Sequence, residues 1–368
     1  MSERALPRTV VAPADAPEAL LHVHDLRVSF RSRRGTALAV DGLSFSVAPG
    51  EVLGVVGESG SGKSVSMMSL LGLIRDPNCT VSGTARFRGR DLVSMTDSDL
   101  RVLRGRDIAM IFQDPMTSLT PVYTVGWHIA EQIRAHQDVS KKVARARAVD
   151  LLGEVGIPDP RRRIDDYPHQ FSGGMRQRAV IAMGLANNPS LLIADEPTTA
   201  LDVTTQAQVL DVLRKLQQDH GSSIILITHD MGVVSQLADR VLVMYAGRAA
   251  EQGPKQEVFH RPRHPYTWGL LGSVPRARAP RVRRLPAIPG SPASALAIPE
   301  GCAFAPRCRF AHDHCSERPP LTGTEHLDAC WLPSDRRQEL RHSLDEAAMA
   351  AGDPGQSAVV VPEQEEFE

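Results

Sequence analysis

The chain has 368 residues, a formal net charge of −1 and 42% hydrophobic residues, enough for one large globular domain and a smaller one. That charge balance argues against a nucleic-acid partner, although charge is unevenly distributed along the chain. The longest apolar runs, such as Ile224–Ile227 and Val241–Met244, fall far short of the roughly 18 to 20 residues that span a bilayer, so the chain is not expected to cross a membrane by itself.

Residues 1–19 mix Glu3, Arg4, Asp15 and Glu18 with prolines and lack an apolar segment, so they read as the disordered leader of a cytosolic protein rather than a signal peptide. Leu21 to Phe30 alternates apolar and polar residues, and Ala39 to Val47 continues in strand style up to the Pro49-Gly50 turn. Both predict a small antiparallel region, to which Arg86–Leu92 belongs through its Gly89 turn. Val52–Val56 is strand-like and Ser66–Leu71 helix-like, with a Gly/Ser-rich loop between them. Leu100–Arg104 is a short helix, and Ile108–Phe112 is a buried strand ending at Gln113, where Asp114-Pro115 breaks it. From Val125 to about Gly153 the spacing of Ile129, Ile133, Val143, Ala146, Val149 and Leu152 predicts helix. Pro158, Pro160 and Pro168 fragment the next stretch, and Phe171–Met175 opens a further helix reaching Leu185. The strand Leu191–Ala194 ends in Asp195-Glu196-Pro197, a helix runs from about Thr204 to Gln218, and the strand Ser223–Thr228 ends at His229. This alternation of strand and helix predicts a parallel sheet covered on both faces.

Past Gly253 prolines and arginines crowd in and periodicity fades. The arginine-rich segment 276–284 reads as a solvated linker, with contact to anionic lipid headgroups or an acidic partner as the alternative. The tail from Gly352, which carries Glu363, Glu365, Glu366 and Glu368, reads as disordered.

The loop between the strand Val52–Val56 and the helix after it is Gly57-Glu58-Ser59-Gly60-Ser61-Gly62-Lys63-Ser64. Gly57, Gly60 and Gly62 let the backbone bend so that successive N–H groups point at phosphates, while the helix after the loop presents its positive end to the same anion. Lys63 is placed to reach the β- and γ-phosphates, and the Ser64 hydroxyl to bind Mg²⁺. Asp195, closing an apolar strand, suits a carboxylate that holds Mg²⁺ opposite Ser64. Glu196 suits an acceptor that orients a water in line with the γ-phosphate. Gln113 and His229 each sit just past an apolar strand, which on a parallel sheet brings them to the same carboxyl edge. Singly, His229 reads as a structural histidine and Gln113 as a surface amide; their order relative to the loop and the Asp-Glu pair places both in the site.

Together these residues resemble the ATP-binding-cassette ATPases over about residues 20–255. Gln113 matches the Q-loop, Phe171–Met175 the signature motif, Asp195-Glu196 the Walker B pair, Ala200-Leu201-Asp202 the D-loop and His229 the switch histidine. The resemblance implies ATP bound by Gly57, Ser59, Gly60, Ser61, Gly62, Lys63 and Ser64, Mg²⁺ held by Ser64, Gln113 and Asp195, and catalytic roles for Glu196, His229 and Gln113. It also implies that Ser172, Gly173, Gly174 and Asp202 act on nucleotide held by a facing subunit, so that the active unit is a head-to-tail dimer. Phe30 matches the aromatic position that stacks on adenine, with a core phenylalanine as the alternative. The signature reads Phe-Ser-Gly-Gly-Met where the broad family has Leu-Ser-Gly-Gly-Gln. With the sequences 112–119, 170–178 and 196–204 and His264-Pro265-Tyr266-Thr267, it looks like the dipeptide/oligopeptide importer ATPases; Thr120 departs from the asparagine of that subfamily. The resemblance implies work at the cytoplasmic face of the cell membrane, as a peripheral subunit. Its partners there are two transmembrane permeases, a second ATPase subunit and an extracytoplasmic substrate-binding protein.

Four of the five cysteines, Cys302, Cys308, Cys315 and Cys330, cluster near the C-terminal end. Clustered thiols in a cytosolic chain point to a metal or cluster rather than disulfides, and the set lacks the Cys-x-x-Cys pairs of structural zinc sites. A [4Fe–4S] cluster, which some relatives with a comparable set are said to hold, suits it; Zn²⁺ with His312 or His314 replacing a thiol, and unligated cysteines, are the alternatives. A segment so rich in loops and proline is expected to bury little apolar area, and its distance in sequence from the phosphate loop predicts a structural role or control of permease contact.

The expected fold is α/β: a P-loop NTPase with a RecA-like parallel core, an antiparallel β subdomain, a helical subdomain at about 114–180 and a small cysteine-bearing extension. The expected units are the leader at 1–19, the ATPase at 20–255, the extension at 256–335 and a helical or disordered acidic tail at 336–368. The expected function is ATP hydrolysis driving import of di- or oligopeptides. The alternatives are a soluble cassette ATPase acting on ribosomes or DNA, an importer for nickel or another small solute, and a regulatory nucleotide-binding module, against which the intact Glu196 argues.

Overall fold

The computed structural model describes residues 19–199, 201–273, 288–337 and 339–341. The expected leader up to residue 18, Ala200 of the D-loop, the arginine-rich segment 276–284 and the acidic tail lie outside these residues.

Two sheets form the body. One is antiparallel, with the order β2 (Gly35–Val47), β1 (Leu21–Ser32), β4 (Cys79–Phe87) and β5 (Arg90–Asp91). The other centres on five parallel strands in the order β9 (Arg240–Tyr245), β3 (Val52–Val56), β8 (Ser223–Thr228), β7 (Leu191–Asp195) and β6 (Ile108–Ile111). The central runs are almost wholly apolar because both faces are covered. Successive side chains part to opposite sides with the period of two that a strand imposes. Leu53, Val55, Ile193, Ile225 and Ile227 pack with the antiparallel sheet, whereas Val52, Val56, Leu192, Ala194, Ile224 and Leu226 pack with the helices. This is the α/β fold expected from the strand and helix alternation.

The helical layer between β6 and β7 comprises Val125–Arg134, Lys141–Glu154 and Gly173–Gly184, with short turns between them. The single helical stretch expected from Val125 to Gly153 is two helices. Ser140 ends the break by accepting a hydrogen bond from the Val143 N–H, a cap that periodicity alone does not report. Phe112, expected inside a buried strand, lies beyond the end of β6 and is 38% exposed.

The C-terminal extension is more than loops. It carries the helices Lys255–His260 and Pro265–Gly272, and its strands continue the core sheet: β12 (Leu327–Asp328) pairs with β10 (Arg248–Pro254), and β11 (Thr322–Gly323) with β12. Tyr266, Leu270, Ala303 and Phe304 join the same apolar core as the helical layer. The expectation of little apolar burial there is therefore corrected: the segment borrows a core from the domain in front of it.

Candidate active site

Parallel register decides where the loops emerge. Val56 stands opposite Thr228, Ile227 opposite Asp195, and Ala194 opposite Ile111, so Gly57, His229, Glu196 and Gln113 come after their strands at one carboxyl edge. The phosphate loop is wedged there between other backbones. A Cβ on Gly57 would stand 2.2 Å from the Met244 carbonyl oxygen, and one on Gly62, at φ +98°, would stand 2.4 Å from that of Ala39. No other residue type fits either position.

The loop encloses the Lys63 ammonium, which donates to the carbonyls of Gly57 at 2.7 Å and Glu58 at 3.0 Å. Burial holds the Lys63 pKa down, opposed by the charges of Glu196, Asp195 and Glu58. Ser64 Oγ donates to Asp195 Oδ1 at 2.9 Å. Asp195 is buried, and burial pushes its pKa up against the Ser64 hydrogen bond and the Lys63 charge. A buried carboxylate beside a hydroxyl, with its charge disfavoured, fits a site that gains from a hard divalent cation.

Glu196 is held from three sides. Gln113 Nε2 donates to Oε2 at 3.0 Å, Thr199 Oγ1 donates to the same oxygen at 2.8 Å, and His229 Nδ1 lies 3.1 Å from Oε1. Burial pushes the Glu196 pKa up, but the bonds from His229 and Thr199 and the charges of His229 and Lys63 outweigh it, and the net shift is downward. The carboxylate is thus kept ionised and able to accept a proton. Its partner Thr199 carries no signal in the sequence beyond its place in the Glu-Pro-Thr-Thr run.

The signature residues form a second, exposed constellation. Ser172 caps the helix Gly173–Gly184 by accepting from the Met175 N–H at 3.3 Å, while Phe171 is buried in the core. A Cβ on Gly174 would stand 2.3 Å from Thr205 Cγ2, and Thr205 is bonded through its N–H and hydroxyl to Asp202, the cap of the helix Val203–His220. Ser172, Gly173, Asp202 and Val203 are exposed, the last at 85%. Phe30, near the end of β1 between Ala37 and Cys79, packs partly buried against the core under the antiparallel sheet.

The cysteine set is built by backbone contacts. The Cys302 N–H donates to the Cys315 carbonyl at 2.9 Å, and the turn between Cys302 and Cys308 closes through Ala305 N–H to Cys302 O and Cys308 N–H to Ala305 O. Burial, foremost, pushes the Cys308 and Cys330 thiols up to about 12; the charges of Cys330, Cys302 and Cys315 add to this at Cys308, and those of Asp328 and Cys302 at Cys330. The N–H groups of Phe304, Phe310 and Leu332 are directed at the sulfurs of Cys302, Cys308 and Cys330. Among the described residues, no three His, Cys, Asp or Glu side chains converge as ligands of one metal ion do. His312 Nδ1 lies 3.6 Å from Cys315 Sγ.

The phosphate loop also touches the extension. Tyr266 and Arg307 both bond Glu58, contacts that no spacing in the sequence signals.

Comparison with known proteins agrees with this geometry. Residues 40–199 match the family described as ABC transporter, and residues 250–315 match the oligopeptide/dipeptide transporter C-terminal region. The dipeptide transport ATP-binding protein DppD of Bacillus subtilis is 49% identical over 332 residues, which cover 89% of this chain and 99% of that protein. The oligopeptide transport ATP-binding protein OppD of the same organism is 50% identical over 317 residues, covering 85% and 88%. Among solved structures, the dimeric post-hydrolysis state of an ATP-binding cassette bound to ADP and Pi is similar at a TM-score of 0.58 and 25% identity, over 64% of this chain and 98% of that one. With the phosphate loop, the Asp-Glu pair and the extension all in place, the chain belongs to the ATP-binding-cassette transporter ATPases, within the oligopeptide/dipeptide transporter group.

Proposed function

We propose that the chain is the ATP-hydrolysing subunit of an importer for di- or oligopeptides, with residues 20–255 as the ATPase unit and 256–335 as its extension. One observation carries the reading: Glu196 is ionised and held by Gln113, Thr199 and His229 beside the Ser64–Asp195 pair. In this reading the N–H groups of Gly57–Ser64 and the Lys63 ammonium bind the β- and γ-phosphates. Ser64, Asp195 and Gln113 are the residues that would hold Mg²⁺, which when bound neutralises charge on the phosphate oxygens. Glu196 takes the proton of the attacking water, with Thr199 and His229 fixing its carboxylate. Ser172, Gly173, Gly174 and Asp202 face the nucleotide of a second ATPase subunit, and Phe30 lies at the adenine.

The remaining partners are two permeases and an extracytoplasmic binding protein, with the chain peripheral at the cytoplasmic face of the membrane. Among the described residues no helix is long and apolar enough to cross a membrane. A groove of about 810 Å³, lined by Leu71, Leu73, Val102 and Phe112 among others, offers apolar surface suited to a permease segment. The four cysteines are proposed to hold a [4Fe–4S] cluster. The observation behind it is that Cys302, Cys308, Cys315 and Cys330 lie together in the extension, with the Cys302 N–H on the Cys315 carbonyl; Zn²⁺ is the alternative occupant.

The test is Glu196→Gln assembled with permeases, partner ATPase and binding protein in proteoliposomes. ATP binding is retained, hydrolysis falls by about 10² or more, and uptake of labelled peptide stops. Hydrolysis at the wild-type rate would remove Glu196 from its role. ATPase stimulation by a metal ion or another solute, but by no peptide, would replace the cargo.

A further inference from the structure

Glu58 is the second residue of the phosphate loop, and two side chains of the C-terminal extension take hold of it. The Tyr266 hydroxyl accepts from the Glu58 N–H at 2.8 Å, across 208 residues of sequence. The Arg307 guanidinium grips the Glu58 carboxylate with both terminal nitrogens, at 2.6 and 3.0 Å, across 249 residues. Neither is a loose surface contact. Tyr266 is fully buried, and the Arg307 side chain is 4% exposed, with its Nε on the Pro289 carbonyl at 2.7 Å and its plane against the rings of Tyr245 and Phe304. A bidentate arginine pair fixed in this way constrains orientation as well as distance, unlike an exposed lysine pair. On the other side the Glu58 carbonyl accepts from Lys63 Nζ at 3.0 Å, so the residue is anchored at N–H, carboxylate and carbonyl at once.

We propose that Tyr266 and Arg307 are positioning residues for the phosphate loop. By holding Glu58 they keep the N–H groups of the next residues aimed at the nucleotide's phosphates, and so make the extension part of the nucleotide site. The motif His264-Pro265-Tyr266-Thr267 gains a role in this way: His264 caps its helix by accepting from the Tyr266 N–H at 3.0 Å, which directs the tyrosine at the loop. Arg307 ends the turn that hydrogen bonds close between Cys302 and Cys308, so the conformation of that turn sets where the guanidinium falls. The inference rests on nucleotide binding alone and is independent of the cargo and of any metal.

The experiment titrates the full chain with a fluorescent ATP analogue and measures its melting temperature without nucleotide. Tyr266→Phe removes one hydroxyl from an otherwise unchanged ring, and it and Arg307→Met each weaken binding by roughly three- to tenfold, the size of one or two net hydrogen bonds. The double variant Arg307→Met with Glu58→Gln binds no more weakly than Arg307→Met alone, because both changes cut the same link. Unchanged affinity with a lowered melting temperature would reduce the two residues to a brace of the fold and overturn the proposal. Losses that multiply in the double variant would overturn the route through Glu58. If Arg307→Met does not fold, Tyr266→Phe decides alone: wild-type affinity sinks the proposal.

Discussion

Glu196 adopts φ +47°, in the left-handed region that a glutamate enters at a cost of about 1–3 kcal/mol. The surrounding structure enforces it, with the Glu196 N–H bonded to the Ile227 carbonyl at 2.8 Å and the carboxylate held by Gln113, Thr199 and His229. His264 shows a different constraint at the same scale. Burial holds its pKa down to about 4, Glu251 opposing the shift and Arg337 adding to it, and Nδ1 of the neutral ring caps the helix Pro265–Gly272. In the unfolded chain this imidazole titrates near 6.5. Between pH 6.5 and 4 the unfolded chain therefore binds the extra proton, and stability present above pH 6.5 is lost as the pH falls, by about 3 kcal/mol in all. The melting temperature of the full chain is expected to drop across that window. His264→Asn keeps a cap acceptor without titrating and should flatten that part of the slope; an unaltered slope would exclude His264 as its source.

At the scale of elements, the helix Gly173–Gly184 begins at Ser172, and the adjoining helix Val203–His220 begins at Asp202, with Gly174 and Thr205 in contact between them. Two helix starts side by side at the surface, flanked by an exposed Val203, make a patch suited to phosphate held by a second subunit. Ser172→Arg places a long cation at that surface and removes the cap, a loss of about 1 kcal/mol to the helix. Nucleotide affinity of the isolated chain should stay near the wild-type value, while ATP-dependent dimers, monitored by light scattering, disappear. Dimers of normal strength in this variant would contradict the sandwich.

For the whole molecule, the extension closes on the ATPase unit through β10–β12 pairing, the Tyr245–Tyr266–Phe304 rings and the Arg307–Glu58 pair. The cysteine-bearing turns sit against this junction, with Cys302 and Cys308 packed on the core. If they carry a cluster, protein purified without oxygen is brown and contains about four irons per chain. Removing the iron should lower the melting temperature, since metal–thiolate bonds then no longer order the segment. Colourless anaerobic protein with stoichiometric zinc would assign the site to zinc, and four freely titrating thiols without metal would remove both.

What the chain determines locally was legible in its sequence. Apolar runs mark the parallel strands, the Gly/Ser loop marks the turn between β3 and the helix after it, and Gln113, Asp195, Glu196 and His229 fall at one sheet edge because each closes or comes just after such a run. These signals are short in range and survive without a fold. Tertiary structure decided the rest. The exposure of Phe112, the contact of Gly174 with Thr205, the bond from Thr199 and the pairing of β12 with β10 depend on which surfaces the sheet brings together. The grip of Tyr266 and Arg307 on Glu58 is the extreme case, because partners 208 and 249 residues apart leave no periodicity or spacing to read, and only packing of the extension onto the core makes them neighbours.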